Sequence, residues 1–222
     1  LSGYDKSILF GYDAMTSANI ALEGKNQFNP TGSQEGFETW KTKVNSPNDI
    51  DSFKQDLTVT ACYSYKTIAT PNICIDPMKY DLTSSGKCKY DISDLGSSQG
   101  GPIAVTSIKQ KTTDSRVYLE IYFSNKGAGT PYSGKPVENC YNSLSVNDVD
   151  TIEGISVSMP GRNAFDCNPK GKIRLTSGSG FVVCQAGISG NSYYVSPLNI
   201  VIAYNYRQTM SKEITIVNVN PR

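Results

Sequence analysis

The chain has no histidine, a single tryptophan, and no apolar run approaching the ~20 residues that a membrane-spanning helix requires. Without histidine it lacks the usual general base, the commonest metal ligand and the side chain whose ordinary pKa lies closest to neutrality. It also lacks closely spaced cysteine pairs. The nearest two, Cys62 and Cys74, stand a dozen positions apart, whereas a structural zinc site needs pairs of the C-x2-C kind. Nor is there a polybasic stripe: 21 Lys and Arg and 20 Asp and Glu are scattered to a net charge of +1, which leaves no electrostatic footprint for nucleic acid or anionic lipid. No Asn-x-Ser/Thr sequon with a permitted middle residue occurs, so asparagine-linked glycosylation of this segment is not expected.

What remains is a polar, β-rich composition. Apolar residues make up 38% of 222, enough for one large β-domain or two sandwich-sized ones. Fourteen tyrosines supply apolar faces with polar tips. The segment Thr60–Asp76, TACYSYKTIATPNICID, alternates apolar and polar residues and carries two cysteines around a short Ala-Thr-Pro turn. A period of two marks half-buried strands. The reading is a long strand over 56–67 with 71–76 as its hairpin partner. Further strands are expected at SANIALEG from Ser17, at GFETWKTKV from Gly36, and at PIAVTSIKQ and RVYLEIYFSN. In the last, Val117, Leu119, Ile121 and Phe123 share one face. GISVSM, KIRLT, GFVVC, PLNIVIAYNY and EITIVNV follow as separate strands, with Leu198, Ile200, Ile202, Tyr204 and Tyr206 on one face. No segment has an apolar period of 3.6, so almost no helix is expected.

The six cysteines, at 62, 74, 88, 140, 167 and 184, form an even set. Three disulfides in an oxidising compartment are expected, from fifteen connectivities that six cysteines allow. The preferred set is Cys74–Cys88 and Cys167–Cys184 as local loops, with Cys62–Cys140 tying the two halves. The composition shift through Tyr80–Gly101, ending in LGSSQGG, sets the domain boundary: residues 1–97 as an N-terminal β-sandwich with a leading segment, and 98–222 as a C-terminal one. Beginning at Leu1, the chain reads as a processed or excised ectodomain.

CYSYKTIATPNICID, SSQGGPIAVTSIKQ, YFSNKGAG and PLNIVIAYNYRQTMSKEITIVN together resemble secreted or membrane-anchored surface proteins of archaea, especially of small-genome lineages. That family joins two immunoglobulin-like β-domains at a GQGAPVAVT-like junction and ends in a Y-x-Y hairpin. Here the junction reads SQGGPIAVT, a mild departure, and the resemblance spans residues 18–220. It implies an all-β fold of two immunoglobulin-like antiparallel sandwiches and a surface location. It carries no activity.

Candidate chemistry is sparse. Ser84–Lys87 spells S-x-x-K but lies in a polar, glycine-containing loop without a helix to present it, and GAG and GSGF are turns that open no helix. No cofactor and no catalysis are expected. Asn147, Asp148, Asp150 and Glu153 place four oxygen donors in seven residues, the one calcium candidate, although the EF-hand pattern is not matched and an acidic solvated turn explains them more simply. Trp40, or Tyr193 with Tyr194, could form a sugar-stacking platform; a solitary tryptophan in a sandwich is more often core. Ile8, Leu9, Phe10 and Tyr12 make the leading segment too apolar for a free tail. It either adds as a strand to a neighbouring subunit, or pairs within its own chain. The function expected is that of an extracellular structural protein at a cell surface, self-associating as a subunit of a filament or array, or binding other surface proteins. A carbohydrate-binding adhesin domain and a viral surface or capsid protein are the alternatives.

Overall fold

A computed structural model of the protein describes residues 2–10, 28–30, 41–45, 51–77, 88, 91–92, 95, 99–140, 144–161, 164–190 and 192–219. The expected strand at Ser17, Trp40 and most of its segment, Tyr12, and the junction between residues 97 and 98 lie outside these. Among the described residues, the segments with clear period-two alternation are strands. In chain order the strands are β1 (Leu9–Phe10), β2 (Lys43–Val44), β3 (Ser52–Ala69), β4 (Asn72–Ile75), β5 (Asp91–Ile92), β6 (Ile103–Thr112), β7 (Arg116–Asn125) and β8 (Thr130–Tyr132). A 3-10 turn at Val137–Asn139 precedes β9 (Thr151–Ile152), β10 (Gly154–Ser158), β11 (Asp166–Asn168), β12 (Ile173–Arg174), β13 (Ser179–Gly187), β14 (Tyr194–Pro197) and β15 (Asn199–Val217). Among the described residues there is no α-helix, and no helix long and apolar enough to cross a membrane.

The chain divides into two compact units, one formed by Leu1–Ala61 with Gln208–Arg222 and the other by Cys62–Arg207. In the smaller unit the side-chain pairs Thr58–Ser211 (2.9 Å) and Thr60–Thr209 (3.3 Å) link β3 to β15, and their order along the chain shows the strands to be antiparallel. Lys54 and Glu213 form an exposed ion pair at 2.7 Å. The leading segment pairs within its own chain: Leu9 opposes Val44, and Ser2 bridges Thr58.

The larger unit is β-sandwich-like. A five-stranded antiparallel sheet has the order β11-β13-β7-β6-β5, and a second has β10-β15-β3 with β8 also paired to β15, β3 from Cys62 on and β15 up to Arg207 belonging to this unit. Val117, Leu119, Ile121 and Phe123 of β7 are wholly buried, as are Leu198 and Ile200, Ile202, Tyr204 and Tyr206 of β15. The two inward faces read from the sequence are therefore the two main walls of the core. The strand pairing departs from expectation twice. Asn72–Ile75 does not fold back on β3; it pairs with Tyr194–Pro197, more than a hundred residues on. And the two strands expected from Leu198 to Val219 are one, because the polar stretch after Tyr206 continues the ladder of β15 rather than turning.

All six cysteines are paired, Cys62–Cys140, Cys74–Cys88 and Cys167–Cys184, as expected. All three bridges lie in the larger unit. Cys167 and Cys184 are directly opposite in the β11–β13 ladder.

Away from the two residues paired with β5, the outer side of β6 at Ile103 and Val105 is sealed by side chains. Lys126 N–H donates to Pro102 C=O, which turns both backbone groups of Ile103 away from β7. There the Tyr204 hydroxyl accepts from Ile103 N–H (3.2 Å), and Thr67 Oγ1 donates to Ile103 C=O (2.7 Å). Tyr204 and Thr67 are themselves hydrogen-bonded at 2.8 Å. Because Thr67 spends its proton on Ile103, Tyr204 is the donor of that bond. At Val105 the Gln99 amide does the same work alone, accepting from N–H (2.8 Å) and donating to C=O (2.7 Å). Burial pushes the Tyr204 phenol up to about 12.

Candidate functional site

The alternation that buries Val117, Leu119, Ile121 and Phe123 turns the three intervening residues of β7, Tyr118, Glu120 and Tyr122, outward. The registers of β6 and β13 set their neighbours. Tyr122 opposes Phe181 and Ser107, Glu120 opposes Val183 and Lys109, and Tyr118 opposes Gln185 and Lys111. Directly opposed residues share a face. The outer face of the five-stranded sheet is thus a grid of aromatic and charged side chains.

At its centre the Tyr122 and Phe181 rings stack, with centroids 5.6 Å apart and planes 27° from parallel. Phe181 is 54% exposed. The Lys109 ammonium sits 5.3 Å from the Tyr122 ring centroid, a cation–π contact, and the Tyr122 hydroxyl donates to Glu120 Oε2 at 2.9 Å. Along the same two strands the face runs to Arg116, whose guanidinium donates to Gln185 Oε1 at 3.1 Å. Beside it opens a groove of about 870 Å³ lined by Arg116, Asp166, Gln185 and Gly187 among others. The Lys170 ammonium, hydrogen-bonded to Asp166 at 2.9 Å, holds that carboxyl below the usual carboxylate range. The surface therefore offers an aromatic platform with charged donors, a carboxylate acceptor and an amide within the same few strand positions.

The residues singled out from sequence are placed differently. Tyr193 is exposed, but Tyr194 packs against the core, so the pair does not form one platform. Asp148, Asp150 and Glu153 are not gathered into a metal-holding group, and among the described residues no such group of three exists. The Asp148 carboxylate instead accepts from the Ser145 hydroxyl (2.7 Å), which holds its pKa down, and pairs with Lys172 at 3.4 Å. Arg174 donates to the Val146 (2.8 Å) and Val149 (3.4 Å) carbonyls. Two side-chain cations thus engage the carboxylate and carbonyls that a hard cation would use. In the leading segment Leu9 is buried, Ile8 C=O accepts from Asn45 N–H, and Phe10 is exposed.

Tyr122 and Phe181 were missed because each looks ordinary within its own strand. The available signal was aromatic residues at the polar positions of an alternating strand, YLEIY and GFVVC, where Lys, Thr or Ser would be expected. No protein-family model, no curated protein and no solved structure matches this chain.

Proposed function

We propose that the protein is an extracellular cell-surface protein of two immunoglobulin-like β-sandwich domains, with a structural role in a filament or array assembled through β-strand edges. The observation that carries this reading is the bonding of all six cysteines into three disulfides around a histidine-free β-core. Such bonds persist in oxidising surroundings and are rare in the cytosol. The 18-residue β3 ends the strand order of its sheet; Ser2 of the same chain meets that edge at Thr58, a pattern for strand addition from a neighbouring copy, and Val59 and Ile68 on β3 are exposed. The resemblance to archaeal surface proteins points the same way. Electron microscopy of the purified, oxidised chain tests it. Fibres or a lattice are expected, abolished by Val59→Lys with Ile68→Lys; a monodisperse monomer at every concentration and salt would sink the assembly reading.

A second reading, a carbohydrate-binding adhesin domain, is favoured by one specific observation: the stacked, exposed Tyr122–Phe181 pair on the outer sheet face. Neither reading assigns a catalytic activity.

A further inference from the structure

Large exposed aromatics on a sheet face cost solubility and call for an occupant. The exposed apolar part of this face, half of Phe181, a third of Val183 and the edges of two tyrosines, amounts to roughly 300 Å² or less, since a whole aromatic side chain buries at most ~250 Å². A stable protein interface takes about 800 Å² from each partner. The strip is thus too small for a protein partner yet well formed for a ligand that stacks on a ring. The polar groups around it narrow the chemistry further. Lys109, Lys111 and Arg116 only donate, the Glu120 carboxylate only accepts, and the Gln185 amide does both. A ligand satisfied by such a mixture must itself donate and accept at closely spaced points, which is the property of hydroxyl groups. Stackable C–H faces rimmed by hydroxyls describe a sugar ring.

We propose that the outward face of β7 and β13, centred on Tyr122 and Phe181, binds a saccharide chain of pyranose rings laid along the two strands towards Arg116 and Gly187. The exposed Phe181 ring, backed by Tyr122, takes the apolar face of one sugar ring. Lys109 and Glu120 hold its hydroxyls, and the groove beside Arg116, Asp166 and Gln185 receives the next part of the chain. Both side chains of the platform are held before any ligand arrives: Tyr122 by its bond to Glu120 and the overlying Lys109, Phe181 by stacking on Tyr122. Little ordering entropy is left for binding to spend. The proposal rests on the adhesin reading and gives it a location.

The test uses the full, oxidised, ¹⁵N-labelled chain titrated to millimolar concentration with cellohexaose, chitohexaose, mannohexaose and hexagalacturonate. At least one of the four is expected to shift the amide signals of residues 120–123 and 180–183. Phe181→Ala should weaken that binding roughly tenfold, the loss of one stacking partner. Phe181→Tyr, which keeps the ring, should retain it, and Tyr193→Ala should not change it. Binding that maps elsewhere, or that survives Phe181→Ala undiminished, overturns this site while leaving the adhesin reading standing. No perturbation by any of the four hexasaccharides overturns both.

Discussion

Replacing Tyr204 by Phe removes one oxygen atom and tests the sealed edge of β6 directly. The substitution keeps the ring in the core, so the apolar burial is unchanged and no cavity of consequence opens. What is lost is the acceptor for Ile103 N–H and the proton donated to Thr67. Ile103 has no exposed surface, so water cannot replace that acceptor. A buried N–H left unmatched costs about 1–3 kcal/mol, and the lost bond to Thr67 leaves its oxygen one donor short. The expected total is about 2 kcal/mol. With a urea slope of ~2–3 kcal/mol/M, the unfolding midpoint drops by roughly 0.7–1 M with the slope unchanged. Thr67→Val, which strips the Ile103 carbonyl of its donor, should cost a similar amount. The double variant should cost less than the two together, by a coupling of at least ~0.5 kcal/mol. Tyr65→Phe is the control: its hydroxyl donates to Gly100 C=O at an exposed site, and about 0.5 kcal/mol is expected. A Tyr204→Phe protein within ~0.5 kcal/mol of the parent would refute the claim that this hydroxyl stands in for a strand partner.

Alkali tests the same residue through its proton. A folded phenol pKa raised from 10 to about 12 means that the folded chain holds the proton more tightly than the unfolded one. Stability should therefore be fully present below pH 10 and fall between pH 10 and 12, by roughly 2–3 kcal/mol in rapid urea unfolding; Tyr204→Phe should flatten that fall. Replacing Cys167 and Cys184 by Ser together opens a loop with a sequence separation of 17. About 3 kcal/mol should be lost, read as a lower melting temperature under oxidising conditions, and an unchanged melting temperature would contradict the bridge's structural role. Gly129→Ala would press a methyl group on the Arg207 carbonyl oxygen and to 2.6 Å from the Tyr206 ring, so a loss of about 1–3 kcal/mol is expected. Gly187→Ala, whose nearest neighbour is the Ser115 carbonyl at 4.0 Å, should be nearly neutral by the same denaturation assay.

Where burial is one-sided, the chain could be read directly. Val117 to Phe123 and Leu198 to Tyr206 announce their inward faces because every second residue is apolar, and among the fifteen connectivities the short spacings of Cys74 to Cys88 and Cys167 to Cys184 favour the local loops that are found. Three features were not legible, each for a physical reason. The partner of Asn72–Ile75 is Tyr194–Pro197, and nothing local in either segment records a pairing made across so much chain. The continuity of β15 through Arg207–Glu213 was hidden because every residue there except Met210 is polar, so the period of two disappears while the ladder continues. The aromatic platform needs two strands in register before Tyr122 meets Phe181. Gln99 looked like spacer in a glycine-rich stretch, although its amide takes the place of a strand at Val105.

The sealing of β6 also sets an order of events when the chain is made. β6 and β7 are consecutive antiparallel strands and can zip together as they emerge, with β13 joining β7 later. The free side of β6 at Ile103 waits for Tyr204, which is synthesised 101 residues later. Throughout that interval the Ile103 N–H lacks its acceptor, although Thr67, Gln99 and β5 come earlier in the chain and can already fill the rest of that side. The apolar row Val117, Leu119, Ile121 and Phe123 also lacks its facing wall, Leu198 to Tyr206, and is presented to other nascent chains nearby. The C-terminal strand is therefore the protein's own late-arriving chaperone: a chain truncated before Leu198 should aggregate through that uncovered face even with β6 and β7 paired.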